Sequence, residues 1–207
     1  CHRACGLKMN LEELRAYAEE RFIPILRPPT EKVLISLLKS EKPKTVLEIG
    51  TAIGYSGSVI LQNSNAHLTT IELNEERFTF AKNTFENFNL TDRVTQILGD
   101  ANIVIKTLDK KFDFIFLDGP KGQYLKELPD LYKLLSSTGT LFVDDIYYHG
   151  WVKGDAYPAH KHRTAILRLR KFIAECKELF PSLTLLDDGD GIMIAKKLNI
   201  NKKTTEY

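Results

Sequence analysis

Cysteine is scarce in this chain: Cys1, Cys5 and Cys176 are three in 207 residues, an odd number at no framework spacing. That excludes a disulfide-built fold and reads as a reducing, cytoplasmic setting. Long apolar runs are missing as well. None approaches the ~20 residues needed to cross a bilayer, and no secretory hydrophobic region opens the chain, so no membrane partner is expected. Charge of one sign is also lacking: 29 basic against 27 acidic residues leave +2, too mild to announce nucleic-acid binding by itself. The 12 glycines and 8 prolines are scattered rather than pooled into a linker, and no repeat appears. What is present is 43% hydrophobic and 27% charged, the balance of a globular domain. Residues 1–9 read as an N-terminal arm or a cloning remnant, 10–197 as a single domain, and 198–207 as a C-terminal tail.

Short apolar runs alternate with longer helical segments. Asn10 is placed to cap a helix running to about Phe22, with Leu11, Leu14, Ala18 and Phe22 on one side. Pro24, Pro28 and Pro29 break it, and Thr30 is placed to cap the next helix, through Lys39. Strands are expected at 45–49, 67–71, 93–98, 112–117 and 140–143, with helices after Tyr55 and from Asn74 to about Phe88. Near-continuous apolar strands separated by helices signal a parallel sheet covered on both faces. Leu183–Leu186, an Asp-Asp-Gly-Asp-Gly turn and Ile192–Ala195 read as an antiparallel pair. The fold class is therefore α/β, a doubly wound, mostly parallel sheet with a final reversed strand.

In such sheets ligands sit beyond the carboxyl ends of the strands. Those ends carry Glu48, Glu72, Asp100, Asp118 and the pair Asp144-Asp145. One acidic residue there is usually a turn former or a helix cap. Five consecutive strands ending this way describe a site suited to ribose hydroxyls, amines and hard metal ions. Gly50-Thr-Ala-Ile-Gly54 follows the first strand, but Ala52 and Tyr55 spoil the dinucleotide fingerprint G-x-G-x-x-G. A cofactor without a pyrophosphate suits this turn better, and Glu72 lies 22 residues after Gly50, where a carboxylate can hold a ribose.

The run Val46-Leu-Glu-Ile-Gly-Thr-Ala-Ile-Gly-Tyr-Ser56 resembles the first motif of the cation-dependent class I O-methyltransferases, the catechol and caffeoyl-CoA type. The resemblance continues through Ile71-Glu72, Gly99-Asp-Ala101, Phe116-Leu-Asp-Gly-Pro-Lys-Gly-Gln-Tyr124 and Val143-Asp-Asp145, and so covers about residues 10–197. It implies a Rossmann-like, seven-stranded sheet with the last strand antiparallel, and S-adenosylmethionine as cofactor. Carried across residue by residue, Glu48, Gly50 and Ser56 hold the methionine part and Glu72 the ribose. Asp100 and Ala101 lie against the adenine, Thr51 and Ile53 are loop contacts, and Asp118 borders the cofactor. Asp118, Asp144 and Asp145 supply oxygen ligands for Mg²⁺ or Mn²⁺, and with neither His nor Cys among them zinc is disfavoured. The family usually has Asp-Asn where this chain has Asp144-Asp145, which leaves Asp145 open as ligand or bystander. Lys121, three residues after Asp118, takes the position of the catalytic lysine, and the reaction implied is an in-line displacement at the sulfonium methyl.

A metal held this way favours an acceptor with two adjacent oxygens. Tyr17-Ala-Glu-Glu20, Ile23-Pro-Ile25, Lys121-Gly-Gln-Tyr124 and Asp188-Gly-Asp-Gly-Ile192 are most similar to bacterial enzymes that methylate 5-hydroxyuridine in the tRNA anticodon. tRNA is thus the implied partner, with small catechol-like or phenylpropanoid substrates as the alternative and a catalytically silent RNA-binding module as a third reading. On the helix expected over about 158–179, Ile166, Leu169, Ile173 and Cys176 form an apolar stripe, opposite Arg163, Arg170 and Lys177. That basic stripe is either a solvated face or a phosphate-tracking surface. Tyr147-Tyr148-His149-Gly150-Trp151 reads equally as a stacking platform or as cover for the sheet edge. His160 and His162 read as surface histidines rather than a metal pair. By analogy with the family, a homodimer is expected through the N-terminal helix and the Pro24–Pro29 segment.

Overall fold

The computed structural model of the chain describes residues 9–154 and 160–198, side chains excepted at 160 and 161. Cys1, Cys5, the side chain of His160 and nearly all of the C-terminal tail lie outside the described residues.

Seven strands form one sheet: β1 (Thr45–Ile49), β2 (His67–Glu72), β3 (Val94–Leu98), β4 (Phe112–Leu117), β5 (Leu135–Val143), β6 (Ser182–Leu186) and β7 (Ile192–Lys196). Their order is β3-β2-β1-β4-β5-β7-β6, and β7 is antiparallel to both of its neighbours. The doubly wound sheet with a reversed last strand is therefore what forms. Chain direction across the sheet reverses between β1 and β4, so the two connections leave in opposite directions and open a crevice there.

The central strands alternate between two cores. Leu47, Ile49, Ile115, Leu117, Leu141 and Val143 face one apolar cluster, while Val46, Phe114, Phe116 and Phe142 face the other. The first is covered by α6 (Tyr124–Leu134) and α7 (His160–Leu179), the second by α1 (Leu11–Glu20), α2 (Pro28–Glu41) and α3 (Tyr55–Gln62). Outer β3 is only half-buried and carries Thr95 and Gln96, as an edge strand tolerates. Ile166, Leu169, Ile173 and Cys176 are the buried stripe of α7.

Local chemistry sets the helix ends. Asn10 and Glu13 form a reciprocal capping box, with the Asn10 side chain accepting from the Glu13 amide at 2.9 Å. Helix α1 stops at Glu20, two residues before the expected end. The amide of Ile23 turns back to the Ala18 carbonyl at 2.9 Å, and Phe22 takes the left-handed position (φ 53°) that this closure requires. Phe22 is consequently 91% exposed, not part of the apolar face. Thr30 is not a cap either: α2 begins two residues earlier, at a proline, and Thr30 lies inside it. Its hydroxyl donates instead to Asp144 Oδ1 at 3.2 Å. Helix α4 (Glu75–Asn87) forms where a helix from Asn74 was expected, with Asn74 as its cap rather than its first residue, whereas α5 (Ala101–Val104) and α6, with Pro129 inside it, have no counterpart among the elements expected from sequence.

Candidate active site

The ends of β1 to β4 and the loop after β5 surround an open cavity of about 690 Å³. Its wall includes Gly50, Thr51, Ser56, Glu72, Asp100, Ala101, Asp118, Lys121 and Asp145, so most of the residues expected from sequence converge on one space. The turn after β1 is built around Gly50 (φ 97°), where a Cβ would stand 2.5 Å from the Asp118 carbonyl oxygen. Only glycine lets β1 and β4 leave the sheet so close together.

Glu72 secures that turn. Its Oε2 accepts from the Ala52 amide at 2.8 Å and its Oε1 from the Asn74 amide at 2.9 Å. Glu72 is 7% exposed and lines the cavity. Glu48 differs from expectation: it is fully buried and lies outside the cavity wall. Ser56 Oγ donates to it at 2.5 Å and Thr70 Oγ1 at 2.6 Å, so Glu48 fixes the Ser56 hydroxyl from behind rather than meeting a ligand. Burial pushes its carboxyl up to about 7, against the two hydroxyl bonds. Ile53 likewise packs into the second core.

At the far end, Asp100 caps α5 through the Asn102 amide (2.9 Å) and binds the Asn102 side chain (3.1 Å), which holds its carboxyl below the ordinary range. Asn74, Arg77, Asn102, Gln123 and Glu127 also line the cavity. Sequence reasoning assigned none of them a role. Gln123 and Glu127 were findable as one helical face, four residues apart and following the Lys121 motif.

The chemical end gathers Asp118, Asp144 and Asp145, each of which offers one carboxylate oxygen within 4.8 Å of the other two. Asp144 is nearly buried and is held by Thr30 and by the Asp145 amide (2.8 Å). Burial, then the charges of Asp118 and Asp145, push its carboxyl up to about 7. Burial raises Asp118 too, against the opposing charge of Lys121. Asp145 adopts φ 52°, a left-handed position that Asn fills most readily among residues with side chains. Its Oδ1 is buried without a hydrogen bond, and Arg27 stands 3.8 Å away. Lys121 Nζ donates to Asp118 Oδ1 (3.1 Å), the Tyr124 hydroxyl (2.9 Å) and the Asp144 carbonyl (3.1 Å). Desolvation alone would lower its pKa, but Tyr124, Asp118 and Asp145 together raise it above the ordinary lysine range. In this arrangement Lys121 is a held ammonium ion.

Helix α7 does not present the expected three-residue basic stripe. Arg170 is turned onto the preceding loop, donating to the carbonyls of Val152 (3.1 Å), Trp151 (3.3 Å) and Gly154. Arg163 and Lys177 are exposed. Tyr148, His149, Trp151 and His162 pack on one another, and Tyr148 shares a 3.1 Å hydrogen bond with His162 Nδ1. Tyr147 is buried against Gly191, where a Cβ would meet its ring.

A family model described as O-methyltransferase matches residues 3–198. The chain belongs to the O-methyltransferase family. Bovine (Bos taurus) catechol O-methyltransferase is 29% identical over 157 residues, 69% of this chain and 58% of that enzyme. The O-methyltransferase hkm8 of Aspergillus hancockii is 30% identical over 57% of this chain, which spans about half (49%) of that relative's length. Among solved structures, a Staphylococcus aureus protein provisionally described as a caffeoyl-CoA O-methyltransferase superposes with TM-score 0.85 at 30% identity, over 91% of this chain and 92% of that one. A Podospora anserina methyltransferase solved with S-adenosylhomocysteine gives 0.79 at 28%, over 90% and 87%. Membership of the O-methyltransferase family carries the activity class, S-adenosylmethionine-dependent O-methyl transfer. Among the described residues, no helix of this methyltransferase is long and apolar enough to cross a membrane.

Proposed function

We propose that this methyltransferase transfers a methyl group, with the help of a divalent cation, to one of two adjacent oxygens on its acceptor. The observation that carries this reading is the Asp118, Asp144 and Asp145 cluster within 4.8 Å, in which Asp118 and Asp145 line the cavity wall beside Lys121 and Asp144 lies buried behind it. Three carboxylates and no nitrogen or sulfur donor suit Mg²⁺ or Mn²⁺. The buried Oδ1 of Asp145, without a hydrogen bond, is an oxygen that such an ion satisfies. When bound, the cation supplies charge that lowers the pKa of an acceptor hydroxyl.

The chain's own residues do the rest. Thr30 and the Asp145 amide hold Asp144 still, and Tyr124 and the Asp144 carbonyl hold Lys121 at the cavity wall. A carboxylate engaged elsewhere no longer favours the ammonium form, so Lys121 becomes able to take the acceptor's proton. Glu72 and Ser56 line the part of the cavity suited to the donor's ribose and methionine, and Asp100 with Ala101 the part suited to its base. The donor itself brings a sulfonium-activated methyl group, so alignment of donor and acceptor supplies much of the rate.

Catechols present two adjacent oxygens, and 5-hydroxyuridine does so through O5 and O4. The tRNA acceptor expected from sequence draws on fewer cations than α7 promised, since Arg170 is committed to the loop carbonyls. Two experiments test the reading. Methylation of a catechol but not of a matched monohydroxy phenol supports the paired-oxygen requirement, and equal rates overturn it. Mass spectrometry of tRNA nucleosides from deletion and parent cells tests the macromolecular acceptor: loss of 5-methoxyuridine-type nucleosides supports it, and an unchanged profile removes it.

A further inference from the structure

The wall of the cavity remote from the aspartate cluster contains buried acceptors with no donor. Glu127, on α6, is 1% exposed, lines the cavity, and has its Oε2 buried without a hydrogen bond. Asn102 is nearby in the same wall. Its Nδ2 is committed to Asp100 Oδ1 (3.1 Å) and Gln123 Oε1 (3.4 Å), which leaves Oδ1 buried and also unpartnered. Gln123 and Glu127 are consecutive on one helical face, and the Glu127 amide donates to the Gln123 carbonyl at 3.0 Å. Buried polar groups are almost always paired in native proteins, so two unpaired acceptors in one wall point to donors arriving from outside the chain. A carboxyl pushed up to about 7 by burial, with the nearby charge of Asp100 adding to it, fits a site that supplies Glu127 with no donor of its own.

We propose that Glu127 is the specificity residue for the donor's nucleobase: its carboxylate accepts one N–H of a 6-amino purine, and Asn102 Oδ1 accepts the other. The inference rests on the donor placement above, which puts the base against Asp100 and Ala101. An exocyclic amine offers two N–H groups from one nitrogen, and a purine with a carbonyl at the same position offers none. It would instead set its own oxygen against a carboxylate and leave both acceptors unpaired, and sites built to hydrogen-bond a ligand group reject such analogues strongly.

The test is calorimetric binding of two ligands, S-adenosylhomocysteine and S-inosylhomocysteine, to the wild type, Glu127→Leu and Glu127→Gln. The wild type is expected to prefer the adenosyl compound by roughly 10- to 100-fold, the range of a charge-assisted hydrogen bond. Glu127→Leu should compress that ratio to within about threefold, and Glu127→Gln, whose amide can also donate, should bind both compounds. Because each ratio is taken within one protein, partial unfolding of a variant does not imitate the effect. Equal affinity of the wild type for both ligands overturns the assignment, as does a full ratio retained in Glu127→Leu. Failure of the folded wild type to bind S-adenosylhomocysteine at all would instead overturn the donor placement, and this inference with it.

Discussion

Replacing Glu48 by Gln tests whether a buried carboxyl behind the donor cavity sets the pH response of the whole fold. Glu48 is 0% exposed, and burial shifts its carboxyl from an ordinary 4.5 to about 7. The sign follows from proton binding. Between those two values the unfolded chain has released the Glu48 proton while the native state still holds it, so the native state binds more protons and stability falls as pH rises. The fall begins near 4.5 and levels off above about 7. At about 1.4 kcal/mol per unit, the shift corresponds to about 3 kcal/mol by pH 8, as an upper bound. Gln keeps the shape and still accepts from one hydroxyl, and Thr70, only 2.5 Å from Thr51 Oγ1, is free to turn its own hydrogen there and accept from the new amide. Urea denaturation of both proteins from pH 4.5 to 8.5 measures the difference. The Gln variant should match or trail the wild type at pH 5 and exceed it by up to about 3 kcal/mol at pH 8. Asp144 and Glu127, also shifted to about 7, contribute the same slope to both proteins and cancel. Parallel stability curves would refute the claim that Glu48 is buried at the expense of its charge.

Glu72→Gln, which retains one acceptor for the Ala52 or Asn74 amide, should weaken S-adenosylhomocysteine binding by about 1.5–3 kcal/mol in calorimetry; unchanged affinity would show that Glu72 serves only the turn. Asp145→Asn suits the left-handed backbone and removes a charge beside Asp118 and Asp144, so the metal-free protein should gain about 1 kcal/mol at pH 8 while keeping methyl transfer. A folded, cation-binding but inactive Asp145→Asn would give the second aspartate a separate role. Gly50→Ala combines a φ of 97° with a 2.5 Å collision against the Asp118 carbonyl, and should lower stability by about 2 kcal/mol or more, read as a drop in Tm.

Sheet and site were legible to different degrees, for physical reasons. Most strand positions followed from apolar runs, although β5 begins at Leu135, five residues before the expected start, because Ser136, Ser137 and Thr138 interrupt its apolar run. The Asn10 cap followed from side-chain chemistry that operates within a few residues. Residues on β1 and β4 are buried on both faces, so no polar–apolar alternation tells which way Glu48 points. Its inward turn is decided by Ser56 and Thr70, which lie on other elements. Thr30 misled because Thr-Glu at a helix start has the look of a cap, while the prolines before it had already opened the helix and Asp144, 114 residues away, took the hydroxyl. Arg170 kept the spacing of a basic face yet turned to loop carbonyls that no helical periodicity reports. The Asp118, Asp144 and Asp145 cluster was the most readable part. Strand ends in a doubly wound sheet meet at one edge whatever their neighbours do.

Methyl transfer from S-adenosylmethionine to a catechol, followed against Mg²⁺ and Mn²⁺ concentration with EDTA as control, decides whether the aspartate cluster works through a cation. Activity should rise with either ion and vanish in EDTA. Asp118→Ala should lose both activity and measurable cation binding, while Lys121→Ala should keep cation binding and slow transfer by up to ~10²–10⁴-fold. Full activity in EDTA, or an Asp118→Ala variant as active as the wild type, would contradict the cation's role.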